Sequence, residues 1–260
     1  MQLEYAPQGL VGLLTPQANT TVEPEAWALL PTGFSLVNAR MVSDAPELGQ
    51  RLLDYVWQID RSLVQFANAP LSVLSLACTG SSYLMGQEAE SQWVAQWEGK
   101  SGLPVVTAGL AVVDALQALK AQRIDLVSPY PADLTQASVA YWKSHGFDVG
   151  EVREVSTPQQ GFHSIYLTSM QSASEATQSL SDSTADAVLM LGTGMPTLKT
   201  LLAQRGRPGP PVLSSMLALM WRSVSRAQAA NVADDPLQNI HAWLAGSHWA
   251  LRAQTMGIEP

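Results

Sequence analysis

The chain of 260 residues contains one cysteine, Cys78, so it can form no internal disulfide, and it lacks the Cys/His spacing of a zinc site. Cations are scarce as well: 14 Lys and Arg stand against 22 Asp and Glu, a net charge of -8. With no basic block, a nucleic-acid partner is not expected, and an anionic membrane surface would repel the chain on average. No apolar run reaches the length of a membrane span. The opening "MQLEYAPQGLVGLL" has Glu4 where a secretory leader carries Lys or Arg, and its apolar stretch is short, so a soluble cytoplasmic protein is expected. The histidines His145, His163, His241 and His248 are scattered and read as surface or packing residues. Apolar residues, by contrast, are plentiful. At 47% of the chain they can fill one large domain or two small ones.

Apolar runs such as "LSVLSLAC" (71–78), "IDLVSPY" (124–130) and "DAVLMLG" (186–192) alternate with amphipathic stretches such as "GLAVVDALQALKAQ" (109–122). This strand-helix-strand rhythm is that of a parallel α/β sheet. The spacing also repeats. Seventeen residues separate Pro16 from Gly33, and seventeen separate Pro129 from Gly146; "LACTG" is echoed by "MLGTG", and "LPVVTA" (103–108) by "PPVLSS" (210–215). The chain therefore reads as a duplication of roughly a hundred residues. The expected fold is α/β, with two Rossmann-like parallel-sheet halves related by a pseudo-twofold axis: residues 1–107 with 216–260 form the first, and 108–215 the second.

Ligands of open parallel sheets bind outside the carboxyl ends of the strands. The loops at Pro16, Cys78, Pro129 and Gly192 all follow strands, so two facing halves would line one cleft with them and set Cys78 opposite Gly192. "QANTT" after Pro16 then reads as a rim of hydrogen-bond donors, or as no more than a helix cap before "VEPEAW". Two other segments are set aside. "EGKS" (98–101) lacks the first glycine of a phosphate loop, and "GTGMPT" (192–197) breaks the dinucleotide fingerprint at Pro196 and Thr197. Binding of NAD or FAD is not expected. The eight tryptophans, Trp243 and Trp249 among them, read as core or interface anchors, while 156–164 and 234–238 read as loops.

The segments "GLLTPQANTTVEPE", "LACTGSSYLMG", "LVSPY" and "LGTGMPTL" resemble the aspartate/glutamate racemase superfamily, and within it the branch of maleate cis-trans isomerases and arylmalonate decarboxylases. The resemblance implies a cofactor-free enzyme with its site between the halves, acting on a small dicarboxylate. Members commonly carry one cysteine per half; here the first position is Cys78 and the second is Gly192, which argues against two-base racemisation. By the same resemblance Asn19 would hold a carboxylate, Cys78 would add to an alkene carbon, and Tyr130 would hydrogen-bond the carboxylate. The implied reaction is maleate isomerase-like. The alternatives are a decarboxylase using one cysteine as proton donor, and a carboxylate-binding protein with a degenerate site. The candidate substrate-binding residues are Pro16, Asn19 and Thr20; Thr79, Gly80 and Ser81; and Gly192, Thr193 and Gly194. A homo-oligomer is left open.

An ordinary thiol has a pKa near 8.5, so a thiolate at neutral pH needs help. The segment after "ACTGSS" reads as a helix N-terminus, whose amides would favour the anion. The competing reading of Cys78 is a small buried hydrophobe at a strand end. If Gly192 mirrors Cys78, Gly192→Cys would place a second thiol on the opposite face and is expected to confer exchange of an α-proton.

Overall fold

The computed structural model describes residues 3–156, 164–228 and 235–260. In the first repeat along the chain, β1 (Gly9–Pro16), α1 (Val22–Leu29), β2 (Phe34–Met41), α2 (Leu48–Trp57), α3 (Asp60–Leu63), β3 (Val73–Leu76), α4 (Thr79–Ser101), β4 (Val105–Thr107) and α5 (Ala108–Ala118) follow in order. The second repeat has the same pattern with β5 (Arg123–Ser128), α6 (Ala132–Ser144), β6 (Asp148–Glu154), α7 (Met170–Gln178), β7 (Ala187–Met190), α8 (Leu198–Gln204), β8 (Val212–Ser214) and α9 (Ser215–Ala227). Two short helices, α10 (Ile240–Leu244) and α11 (Ala250–Thr255), close the chain.

Among the described residues all strand pairings are parallel, in two four-stranded sheets of order β2-β1-β3-β4 and β6-β5-β7-β8. Adding four to each strand number of the first sheet gives the second, so the duplication inferred from spacing is present in the topology. The inner strands β1, β3 and β7 are buried along their whole length, which is why they read as unbroken apolar runs. The seventeen-residue spacing also has a backbone cause. Gly33 and Gly146, each just before an edge strand, both adopt positive φ (90° and 88°), a conformation glycine reaches without steric cost. The short strands β4 and β8 each run straight into a helix whose cap is a hydroxyl: Thr107 accepts from the Leu110 N–H, and Ser214 from the Leu217 N–H.

Helix α9 packs against β1, β3 and β4 of the first sheet and against α5, with Ser223 and Ser75 joined at 2.7 Å. Helix α11 rests on α1, where Arg252 donates to the carbonyl of Trp27 at 3.0 Å. Trp243 and Trp249 are fully buried in this region, as core residues. The loop expected over 234–238 contains a single 3-10 turn, Pro236–Gln238, capped by Asp235; Asp234 lies outside the described residues. Of the loop expected over 156–164, residues 157–163, with His163, also lie outside them. No described helix is long and apolar enough to cross a membrane.

Candidate active site

The loops after β1, β3, β5 and β7 converge on a cavity of about 710 Å³ walled by both halves. Pro16, Asn19, Cys78 and Gly80 reach it from the first half, and Tyr130, Thr193 and Gly194 from the second. Thr79 and Ser81 are buried just behind the wall, whereas Thr20 is exposed and takes no part in it.

The "NTTVEPE" segment reaches this cavity through a dense set of bonds. Asn19 Oδ1 accepts from the N–H groups of Thr21 (2.9 Å) and Val22 (3.1 Å), closing the entry to α1, which assigns the amide nitrogen to the other side. That nitrogen donates to the Thr193 carbonyl at 3.3 Å, across the junction between the halves. Asn19 is thus both helix cap and cavity wall. The Thr21 hydroxyl donates to the Gly194 carbonyl (2.8 Å), and the Thr193 hydroxyl to the Ala77 carbonyl (2.7 Å). Glu23 pairs with Arg40, which also donates to the carbonyl of Asn19 at 2.8 Å and so pins the loop from β2. Glu25 crosses to the second half and accepts from the Thr197 hydroxyl (2.8 Å), the Thr197 N–H and the Leu198 N–H (3.2 Å).

Cys78 sits at the N-cap of α4 and is 4% exposed. The Ser81 hydroxyl lies 3.2 Å from its sulfur and 2.6 Å from the Leu52 carbonyl, so its one proton is shared between two acceptors. Burial pushes the Cys78 thiol up, and the hydrogen bonds from Ser81 and Gly80 pull it down without cancelling that effect. This corrects the expectation of a thiolate at neutral pH. The helix N-terminus is in place, but burial outweighs it.

Tyr130 stands half-buried beside this thiol, and its hydroxyl lies 2.7 Å from the Thr79 hydroxyl. Burial pushes the phenol well above its ordinary value, so it stays protonated and able to donate throughout the neutral range. The opposite wall departs from the mirror relation. Gly192 has φ 84°, whereas Cys78 has φ -148°, so these two repeat positions differ in backbone conformation. A Cβ on Gly192 would meet the Tyr130 hydroxyl at 3.0 Å and Ile165 at 3.4 Å. The space that a side chain at 192 would enter is bounded by the phenol.

A family model described as arylmalonate decarboxylase matches residues 11–236. The chain belongs to the arylmalonate decarboxylase family. A maleate isomerase of Nocardia farcinica is 30% identical over 221 residues, covering 80% of this chain and 86% of the relative. One from Pseudomonas putida is 31% identical over 160 residues, covering 57% of this chain and 64% of the relative, so that alignment spans less than two thirds of the relative's length. The crystal form of the Nocardia farcinica maleate cis-trans isomerase with a covalently bound succinylcysteine intermediate, a mutant, superposes with a TM-score of 0.72 at 27% identity, over 84% of this chain and 93% of that one.

In this member of the family, the wall residues that the sequence reading did not name include Arg51, Ile165 and Tyr166. Arg51 had a legible signal. On α2, Leu48, Arg51, Leu52, Tyr55 and Val56 follow the i, i+3, i+4, i+7, i+8 stripe of a core-facing helix surface, and Arg51 is the one charged residue in it. Ile165 and Tyr166 had none, because they lie in a short 3-10 turn, Ser164–Leu167, between β6 and α7. Among the described residues, no three His, Cys, Asp or Glu side chains converge as a metal site requires.

Proposed function

We propose that the protein is a cofactor-independent enzyme acting on a small dicarboxylate through Cys78, and that its reaction is maleate isomerase-like. The observation that carries this reading is one thiol on the first wall of an inter-half cavity, with a phenol and a backbone loop, but no second thiol, on the other. The relatives named maleate isomerase support the choice of substrate class.

The missing second cysteine is compatible with this chemistry. Sulfur adds to one alkene carbon, and the π pair moves onto the neighbouring carboxylate as an enediolate. The former double bond turns as a single bond; the pair then returns and expels the sulfur, leaving fumarate. The substrate neither gains nor loses a proton. What the site must supply is stabilisation of the enediolate, for which Tyr130 and the Asn19 amide, both in the cavity wall, would serve as donors, with the Thr193–Gly194 backbone beside them. The test is maleate incubated in deuterated water and followed by proton NMR. Fumarate free of carbon-bound deuterium is expected from the wild type, and none from Cys78→Ala. No turnover of maleate would overturn the isomerase reading.

A second reading has its own support. The thiol is pushed up by burial, as suits a proton donor, and Leu48, Leu52, Leu134 and Ile165 give the wall an apolar side. A one-cysteine decarboxylase would use both, losing carbon dioxide from an arylmalonate and protonating the resulting enediolate from Cys78. Carbon dioxide release without maleate turnover would decide for it.

A further inference from the structure

In a chain of net charge -8, a dianion must find its counter-charge locally. Among the described residues the cavity wall holds one cation, Arg51, and it is 4% exposed. Its guanidinium is oriented rather than free to sweep the pocket: Nη1 donates to the carbonyls of Ala45 (3.0 Å) and Pro46 (2.5 Å) in the turn that leads into α2. Neighbouring phenols register the charge. Burial pushes Tyr55 up to about 12 and Tyr166 higher still, and in both the positive charge of Arg51 acts the other way. Tyr166 lines the same cavity, and Cys78 acts electrostatically on both phenols, so thiol, phenols and guanidinium form one cluster. The acid in the wall, Glu154, is exposed at the end of β6 and solvated.

We infer that Arg51 is the anchor for the substrate's second carboxylate, so that the site selects dianions over monoanions. This rests on the dicarboxylate reading above. One carboxylate, beside the reacting carbon, is held by the uncharged donors at Asn19, Tyr130 and the Thr193–Gly194 loop. The other faces α2. A guanidinium already fixed by two carbonyls loses little further freedom when it binds a carboxylate, and its planar fork matches that group. Burial strengthens the attraction relative to an exposed pair. An Arg within an apolar stripe is costly for folding, and a ligand role accounts for its presence.

The test measures binding without chemistry, using the whole protein and two non-reacting probes, succinate and butyrate, by calorimetry. Arg51→Met is expected to weaken succinate binding by thirtyfold or more and to change butyrate binding less than threefold; Arg51→Lys should recover part of the succinate affinity. Equal loss for both probes, or succinate binding unchanged, would overturn the inference. Should Arg51→Met fail to fold, phenylglyoxal modification of Arg51 in the wild type, read by peptide mass, serves instead: succinate should slow it at least fivefold and butyrate should not. Lack of protection overturns the inference as well. Succinate binding does not depend on turnover. Failure of maleate isomerisation with the selectivity intact would remove the reaction and leave the anchor; turnover with no effect of Arg51 would do the reverse.

Discussion

Glu25 in α1 caps α8 from the other half of the molecule, accepting from both the N–H and the hydroxyl of Thr197. The carboxyl is fully buried, and burial outweighs those hydrogen bonds, raising its pKa from 4.5 to about 7.

Stability should therefore depend on pH with a definite sign. In the unfolded chain Glu25 ionises near 4.5; in the fold it holds its proton to about 7. Its contribution is fully present below 4.5 and is lost as pH rises through 7, by on the order of 3 kcal/mol. Glu25→Gln keeps an acceptor for the two N–H groups and a donor for the Thr197 hydroxyl, and cannot ionise. Melting temperatures of the two proteins should agree near pH 4.5 and diverge by pH 8, with the variant higher. Parallel curves would remove the effect.

On the proposed mechanism, Tyr130→Phe removes one donor to the developing enediolate and leaves the ring in place. A loss of roughly ten- to a hundredfold in kcat is expected, with a smaller change in KM, because the bond strengthens as charge develops. The same variant deprives the Thr79 hydroxyl of its 2.7 Å partner, so Thr79→Ala is the control for positioning alone. An unchanged rate would remove Tyr130 from the reaction.

These residues differ in how far the sequence announced them. The sheets, the duplication and the four loops were legible because burial on both faces writes continuous apolar runs, and because repeated turns require the same glycine, as at Gly33 and Gly146. Glu25 stands in the segment "VEPEAW" that follows the expected helix cap, which suggests only a local role. Its partners lie 172 and 173 residues away, and no local pattern carries that information. Thr20, grouped in the sequence with Pro16 and Asn19, is exposed although both of its chain neighbours are buried. For Cys78 the helix N-terminus was foreseen, but its net effect depends on how dry the cavity is, which only the packed structure reveals.

Gly192→Cys was expected from the repeat to add a thiol facing Cys78. The backbone says otherwise. At φ 84° a side chain is strained by about 1 to 3 kcal/mol, and its Cβ would press on the Tyr130 hydroxyl at 3.0 Å. The variant should melt at a lower temperature and turn over more slowly through a displaced Tyr130, and a 2-aryl propionate in deuterated water should show no α-proton exchange above the wild type. Exchange abolished again by Cys78→Ala would restore the mirrored-thiol arrangement.

The pH profile of turnover separates the two reactions. As a nucleophile Cys78 acts as the thiolate, and burial has moved its ionisation above that of an ordinary thiol. For an isomerase, kcat/KM should rise with pH through the neutral range and continue rising past the ordinary thiol value near 8.5. Alkylation of Cys78 by iodoacetamide should follow the same limb, slow at pH 7 and accelerating above it. As the proton donor of a decarboxylase, the same group is active only while it carries its proton, so the rate should be flat through pH 8 and fall as the thiol ionises. Repeating both measurements in Glu25→Gln removes the ionisation of Glu25 near 7 from both limbs. A rate for maleate that falls as alkylation accelerates would place the proton, rather than the sulfur lone pair, at the centre of the chemistry, and the isomerase mechanism would fail.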